Sequence, residues 1–199
     1  MSESHPPQGA LNPATPFGFM VGLALGIMPV VGARAAVIDA QPNGFAIEET
    51  THVAAAPQKV YEALIRPEKW WNALHTYTGN SANLSLQAKA GGCLCEALPD
   101  GGSVMHATVV NARPGKALRL RGPLGPFQGE GVASAITFTL KPSNGGTDLI
   151  LDNNVGGYVK GGFDKLPQAV DAMLTDLVAR LKLFAETGRA MPQDKPSGK

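Results

Sequence analysis

The chain has almost no excess charge of either sign. Its 199 residues include 17 Lys and Arg and 16 Asp and Glu, which gives a formal net charge of +1, and no long run carries one sign. Binding to nucleic acid or to an anionic membrane surface depends on a basic patch, so the composition supports neither kind of partner. The hydrophobic fraction of 44% is instead sufficient for one globular domain with its own core.

Recognisable catalytic and cofactor motifs are also missing. The sequence has no His-Glu-x-x-His zinc motif, no Cys-x-x-Cys-His haem motif and no Gly-x-Ser-x-Gly nucleophile motif. The glycine-rich residues 156–162 lack the Gly-Lys-Ser/Thr ending of a phosphate-binding loop. We therefore expect no cofactor, no bound metal and no catalytic group, and a binding protein rather than an enzyme.

Cysteine is scarce, and the two that occur, Cys93 and Cys95, are two residues apart. On a strand they point to the same face, but a regular strand places their Cα atoms near the upper limit for an unstrained bridge, so we predict no structural disulfide. Counting outward from a turn at residues 99–102 places Cys95 opposite His106 and Cys93 opposite Thr108.

The predicted group of Cys93, Cys95 and His106 permits more than one interpretation. Two thiols and an imidazole suit a soft metal such as Cu(I) or Zn(II), or a nucleophile with its base. Because no fourth ligand is evident, we favour the alternative, in which the cysteines are small buried residues and His106 is hydrogen-bonded. The same register puts Glu96 and Met105 on the opposite face. A carboxylate in an apolar cavity could serve as an acid or base, but we expect Glu96 to face solvent.

The N-terminal segment has the pattern of a secretory signal. Residues 17–31 are nearly all apolar or glycine, and Ala33-Arg34-Ala35 offers small residues where signal peptidase requires them. We predict a signal peptide over residues 1–35, a linker over 36–43, and a periplasmic or secreted protein. Residues 1–16 contain no Lys or Arg, unlike a usual signal. A retained membrane anchor and a cytosolic protein with an atypical leader are the alternatives.

The rest of the chain predicts an α+β fold. Alternating apolar residues indicate a first strand over residues 44–54, and two short helices follow, the first beginning at Pro57 and the second carrying Trp70 and Trp71. Further alternating segments over residues 84–155 indicate an antiparallel sheet of about six or seven strands in all. A strongly amphipathic helix over residues 164–186 closes the domain, and Gly188 is placed to stop it. Residues 188–199 read as a disordered tail.

This order of segments resembles the START-related, polyketide-cyclase-like superfamily called SRPBCC. The resemblance covers residues 44–187, and its carriers are residues 54–64, the Trp70-Trp71 pair, residues 90–93, the Gly-Pro loop at 122–131 and the terminal helix. It implies a helix-grip fold, in which a curved antiparallel sheet surrounds the long C-terminal helix over an apolar cavity. Members of this superfamily bind lipids, sterols or hormones, cyclise polyketides, or activate heat-shock ATPases, so the fold alone does not give the function.

Cavity-facing residues are the candidate ligand contacts. At least one tryptophan of the Trp70-Trp71 pair is expected to be a plain core anchor, and both glycine-rich loops are as compatible with simple connectors as with binding. His75 is a further residue near the predicted cavity mouth, although such a histidine more often caps a helix end or faces water. The candidates for binding a small molecule are Trp70, Trp71, Cys95, His106, Phe127, Gln128 and Tyr158.

Three functions remain open. The leading hypothesis is an exported protein that binds a small hydrophobic molecule in its cavity, with a few polar groups fixing the orientation. The second is a cyclase- or dehydratase-like enzyme that uses His106 or Glu96 as its acid or base. The third is a co-chaperone-like interaction module. We expect no nucleic-acid partner, and membrane contact only through an uncleaved leader; the oligomeric state is left open.

Overall fold

The computed structural model describes Met1 and residues 34–193. The predicted signal peptide therefore lies, apart from its two ends, outside the described residues. The described part contains eight strands in one antiparallel sheet, and three α-helices. The strands are β1 (Arg34–Gln41), β2 (Gly44–Val53), β3 (Leu84–Leu86), β4 (Cys93–Ala97), β5 (Ser103–Arg113), β6 (Ala117–Arg121), β7 (Gly131–Ser143) and β8 (Gly146–Tyr158). The helices are α1 (Pro57–Leu64), α2 (Pro67–Trp70) and α3 (Leu166–Thr187).

The sheet order is β1-β2-β8-β7-β6-β5-β4-β3, and it confirms the predicted α+β helix-grip class. The long hairpin of β7 and β8 forms the middle of the sheet, and β2 connects it to β1 at one edge. Burial alternates along these strands, so that one face of the sheet packs against α3 and the other is solvated. None of the helices within residues 34–193 is both long and apolar enough to cross a membrane.

The start of α1 and the end of α3 lie where the sequence predicts, whereas α3 begins at Leu166 rather than at residue 164, and α2 ends at Trp70 and does not include Trp71. Pro57 occupies the first turn of α1, where its missing N–H is not needed, and α1 ends ahead of Pro67. The α3 helix stops at Gly188, whose φ of 72° is the left-handed conformation that glycine adopts without steric cost, and the Gly188 N–H donates to the carbonyl of Phe184.

The N-terminal boundary differs from the prediction. Residues 36–43, expected to be a linker, form most of β1 and its turn into β2, with Val37 opposite Ile47. The sequence did not predict a strand over Arg34–Gln41, because this short segment overlaps the signal-like pattern. Pairing with β2 gives its backbone groups partners that an isolated linker would lack.

The predicted tail is also partly ordered. Gln193 donates to the carbonyl of Trp71 and accepts from the backbone N–H of Ala73, and the carbonyl of Pro192 accepts from buried Arg180. Residues 188–193 therefore lie against the domain, contrary to the expectation of disorder. The composition gave no sign of this, because the contacts are hydrogen bonds of two residues rather than an apolar stripe. Residues 194–199 lie outside the described part.

Candidate functional site

A cavity of about 500 Å³ lies between the buried face of the sheet and the first half of α3. Its wall is mainly apolar, with a small number of histidine, hydroxyl and amide groups. Such a combination is typical of small-molecule sites. The lining residues are Trp71, Leu74, His75, Thr76, Tyr77, His106, Leu124, Gly125, Phe127, Ser134, Ile136, Asn153, Val155, Leu166, Ala169, Val170 and Met173.

The apolar stripe of α3 serves two purposes. Its second half buries Leu177 and Leu181 in the core. Its first half, including Leu166 and Val170, is only partly buried and lines the cavity instead. One helical period therefore supplies both the core and one wall of the cavity, which is why periodicity alone could not separate the two.

A β-bulge positions the central polar group of the site. The register pairs Cys95 with Met105 and then Leu94 with Ala107, which leaves His106 as an extra residue in β5. His106 and Ala107 are consequently both buried, although they are neighbours on one strand. Cys93 does face Thr108 as predicted, but the prediction that Cys95 faces His106 is wrong, because that count assumed an uninterrupted ladder.

Glu96 is buried rather than solvent-facing, with 1% of its surface exposed. Its carboxylate accepts hydrogen bonds from the backbone N–H groups of Tyr77 at 3.0 Å and Thr78 at 2.7 Å. Burial by itself raises the pKa of Glu96, but hydrogen bonds from Thr78, Tyr77 and His106 outweigh it, so that this pKa lies below its ordinary value. Glu96 is therefore ionised at neutral pH, and the expectation of a solvated carboxylate is wrong.

His106 connects this carboxylate to the cavity. Its Nε2 lies 2.8 Å from Oε2 of Glu96, and the pair is almost completely shielded from water. An ionised carboxylate can only accept, so Nε2 carries a proton, and Nδ1 is the ring nitrogen that accepts a hydrogen bond when the ring is neutral. The Tyr77 ring packs against the imidazole with centroids 5.8 Å apart. The ring is thus fixed in both orientation and tautomer at the cavity wall.

A second polar group was not foreseen. Ser134 on β7 and Asn153 on β8 are both buried and line the cavity, and the Ser134 hydroxyl donates to Oδ1 of Asn153 over 3.1 Å. The signal was present in the alternation of the two strands, which places these residues on the same face as Ile136 and Val155. The neighbouring cavity-facing residues on both strands are apolar, so these two polar residues did not stand out in the sequence.

The loop between β6 and β7 closes one side of the cavity mouth. Its 3₁₀ turn, Gly125–Gly129, is held by the Tyr77 hydroxyl, which lies 3.2 Å from the carbonyl of Gly125 and 3.3 Å from Oε1 of Gln128. Gln128 also donates to the carbonyl of Met105. Gln128 therefore fastens the loop, and it is not among the lining residues.

The structure divides the predicted contact residues into two groups. Trp71, His106 and Phe127 line the cavity, and so does His75 at its exposed rim. Trp70 does not, because it is a core residue whose indole N–H donates to the carbonyl of Ala63 over 2.8 Å. Tyr158, at the end of β8, is 69% exposed and lies outside the lining as well. A binding role for the lining residues stays a prediction.

Cys93 and Cys95 form a disulfide on the sheet face away from the cavity, contrary to the prediction. Their Cα atoms are 5.4 Å apart, shorter than the spacing of about 6.6 Å in a regular strand. The pairing of β4 with β5 is irregular between Leu94 and Cys95, within the segment that the bridge spans. With the sulfurs bonded and His106 on the other face, the three residues do not form a joint metal or nucleophile site. Residues 34–193 contain no cluster of three His, Cys, Asp or Glu able to hold a metal.

A buried carboxylate elsewhere also escaped prediction. Glu49 on β2 is 1% exposed, and its Oε2 has no hydrogen-bond partner within the described residues. Burial, assisted by the charge of Asp171 on α3, raises the pKa of Glu49 to about 7. This group lies outside the cavity lining. It therefore bears on stability rather than on the site.

Comparison with known families agrees with this geometry. Residues 54–182 match the model of the family described as activator of Hsp90 ATPase homolog 1-like protein. The chain belongs to this family. The assignment confirms the resemblance to the SRPBCC superfamily, and it spans α1, the cavity loop and most of α3. No curated protein matches the chain.

Solved structures show the fold of this Hsp90-activator-like chain. The conserved protein of unknown function EF2215 from Enterococcus faecalis superposes with a TM-score of 0.55 at 16% identity, over 82% of each chain. CalU16 from Micromonospora echinospora gives 0.54 at 15% identity, over 80% of this chain and 87% of its own. Protein MLL2253 from Mesorhizobium loti gives 0.51 at 19% identity, over 69% and 93%. At these identities the likeness establishes the fold alone.

Proposed function

We propose that this domain binds a small, largely apolar molecule in the cavity between α3 and the sheet. The observation that carries the proposal is the cavity itself, about 500 Å³ with walls of leucine, isoleucine, valine, methionine and aromatic side chains. Burial of apolar surface there would supply most of the binding free energy.

The polar groups of the wall support a ligand with one polar end. Asn153 uses its Oδ1 to accept from Ser134, and its amide nitrogen forms no hydrogen bond within the described residues. His106 likewise presents Nδ1, since its Nε2 is occupied by Glu96. A donor and an acceptor on an otherwise apolar wall fit a ligand carrying a carbonyl or hydroxyl group.

The proposal is tested by filling the cavity. Ala169 lines it from α3 and its side chain is exposed, so Ala169→Phe adds bulk there without disturbing the core. Ala172→Phe is the matched control, because Ala172 is an exposed alanine on the same helix outside the lining. The neutral probe N-phenyl-1-naphthylamine, which fluoresces in apolar surroundings, is titrated into each protein.

The expected result is binding by the wild-type and Ala172→Phe proteins, and affinity lower by about tenfold or more in Ala169→Phe, since steric overlap of this kind costs about 1–3 kcal/mol. Absence of binding to the wild type, or equal binding by all three proteins, contradicts the proposal.

Export is part of the same proposal. The Cys93–Cys95 disulfide supports it, because disulfides persist in oxidising compartments such as the periplasm. Cleavage after Ala35 would leave residues 36–41 of β1 to pair with β2. Intact mass of the protein from its own host tests this, with a chain beginning at Ala36 expected. An uncleaved chain in the membrane fraction indicates an anchor instead.

The family match favours a second candidate, a co-chaperone-like interaction module, since the family is named for an activator of the Hsp90 ATPase. The ATPase rate of Hsp90 measured with and without the purified domain separates the two candidates. An increase in that rate that is insensitive to Ala169→Phe favours the interaction module. No increase, together with probe binding in the cavity, favours the binding protein.

A further inference from the structure

The Glu96–His106 pair has a chemical capacity beyond binding. Its carboxylate is anchored by two backbone N–H groups, and its imidazole lines an apolar cavity. Ligand binding requires neither a buried ion nor a fixed tautomer. Both are costly in a core unless every partner is satisfied.

The geometry of the ring determines what it can do. Nε2 is 2.8 Å from Glu96, which lies outside the cavity lining, so this ring N–H is directed away from the cavity. Nδ1 forms no hydrogen bond within residues 34–193 and is not sealed off. A base with its lone pair free in a water-poor, apolar space, oriented by a third group, is the arrangement of general-base catalysis.

We propose that His106 is a general base that removes a proton from an apolar molecule held in the cavity, with Glu96 as the positioning residue. This inference rests on the proposed binding function. The substrate class is an apolar compound with a C–H bond acidified by a neighbouring carbonyl or similar group.

The test reaction is the elimination of 5-nitrobenzisoxazole, a flat apolar carbon acid. Nδ1 of His106 takes the proton from C3, and the C–H electron pair becomes the third bond between carbon and nitrogen. The N–O bond breaks, and the oxygen leaves as a coloured phenolate that is followed by absorbance. Atoms and electrons balance without any other reactant.

Two substitutions separate the base from its surroundings. His106→Gln removes the base but retains an N–H that can bond to Glu96. His52→Gln is the matched control, because His52 is a half-buried histidine that lies outside the cavity lining. Wild type and His52→Gln are expected to eliminate the probe faster than His106→Gln by about 100-fold, the usual contribution of a general base.

The role of Glu96 needs its own readout. The ¹H–¹⁵N correlation spectrum of labelled imidazole reports which ring nitrogen carries the proton. The wild type is expected to hold it on Nε2 of His106, and Glu96→Gln to abolish that preference and to slow elimination. An unchanged tautomer and rate in a folded Glu96→Gln protein would overturn the positioning role.

Failure of the inference is distinguishable from failure of the binding function. If 5-nitrobenzisoxazole displaces N-phenyl-1-naphthylamine but is eliminated no faster than by His106→Gln, the cavity binds and the base is refuted. If neither molecule binds to the wild type, the binding function fails and the inference fails with it.

Discussion

Replacing Glu49 is expected to change how the stability of the domain depends on pH. Its pKa is about 7 in the folded state against 4.5 in an unfolded chain, because burial and then the charge of Asp171 oppose ionisation. Between these two values the unfolded chain has released a proton that the folded domain retains. The free energy of unfolding therefore falls as pH rises through this window, and it stops falling above the folded pKa.

The magnitude follows from the shift. About 2.5 pKa units at 1.36 kcal/mol each correspond to about 3 kcal/mol, an upper figure for this one group. A glutamine side chain cannot ionise, so the Glu49→Gln protein loses this dependence. Relative to wild type, its unfolding free energy is expected to increase by about 2–3 kcal/mol between pH 5 and pH 8.

Urea unfolding at pH 5 and pH 8 measures this difference directly, provided that the slope with denaturant is unchanged. Glu48→Gln is the matched control, since Glu48 is the more exposed neighbour on the same strand. Its difference from wild type is expected to be the same at both pH values. A Glu49→Gln difference that is also constant with pH would show that the Glu49 carboxyl ionises in the folded domain as it does in an unfolded chain, contrary to this prediction.

Three further results are expected. Gly122→Ala should lower the unfolding free energy by about 1–3 kcal/mol, because the φ of Gly122 is 145° and an added Cβ would lie 2.9 Å from backbone atoms of β5. Gly129→Ala is the control, and it should leave the unfolding free energy unchanged because the space around Gly129 is open. Gln193→Ala should cost about 1 kcal/mol in the same urea assay by removing two hydrogen bonds to the backbone. Replacing Cys93 and Cys95 by serine should lower stability by about 1–2 kcal/mol but leave binding of N-phenyl-1-naphthylamine unchanged, since the bridge lies on the other face. An unchanged unfolding free energy or a lost affinity would contradict these expectations.

The fold was predictable because its strongest signals are local. The 3.6-residue period of α3, its stop at Gly188 and the start of α1 at Pro57 are all readable without tertiary information. Strand β1 was not predictable, because this short segment overlaps the signal-like pattern and shows no clear alternation of apolar and polar residues. Eight strands were found where six or seven were expected for this reason.

The site was less predictable because it depends on one inserted residue. The bulge at His106 shifts the pairing of β4 and β5 by a single position, and a shift of one residue reverses which face each side chain occupies. That reversal buries Glu96 against His106 and carries Cys95 to the outer face. No sequence motif predicts such a bulge, so the Glu96–His106 pair could be identified only from the structure.

The central claim is that the cavity holds a small apolar molecule, and mass spectrometry of the protein purified from its own host tests it most directly. Spectra under native conditions and after solvent extraction are compared for wild type, Ala169→Phe and Ala172→Phe. We expect a reproducible co-purifying small molecule with wild type and Ala172→Phe, and its loss with Ala169→Phe. An empty wild-type protein, or a molecule retained equally by all three, would contradict it.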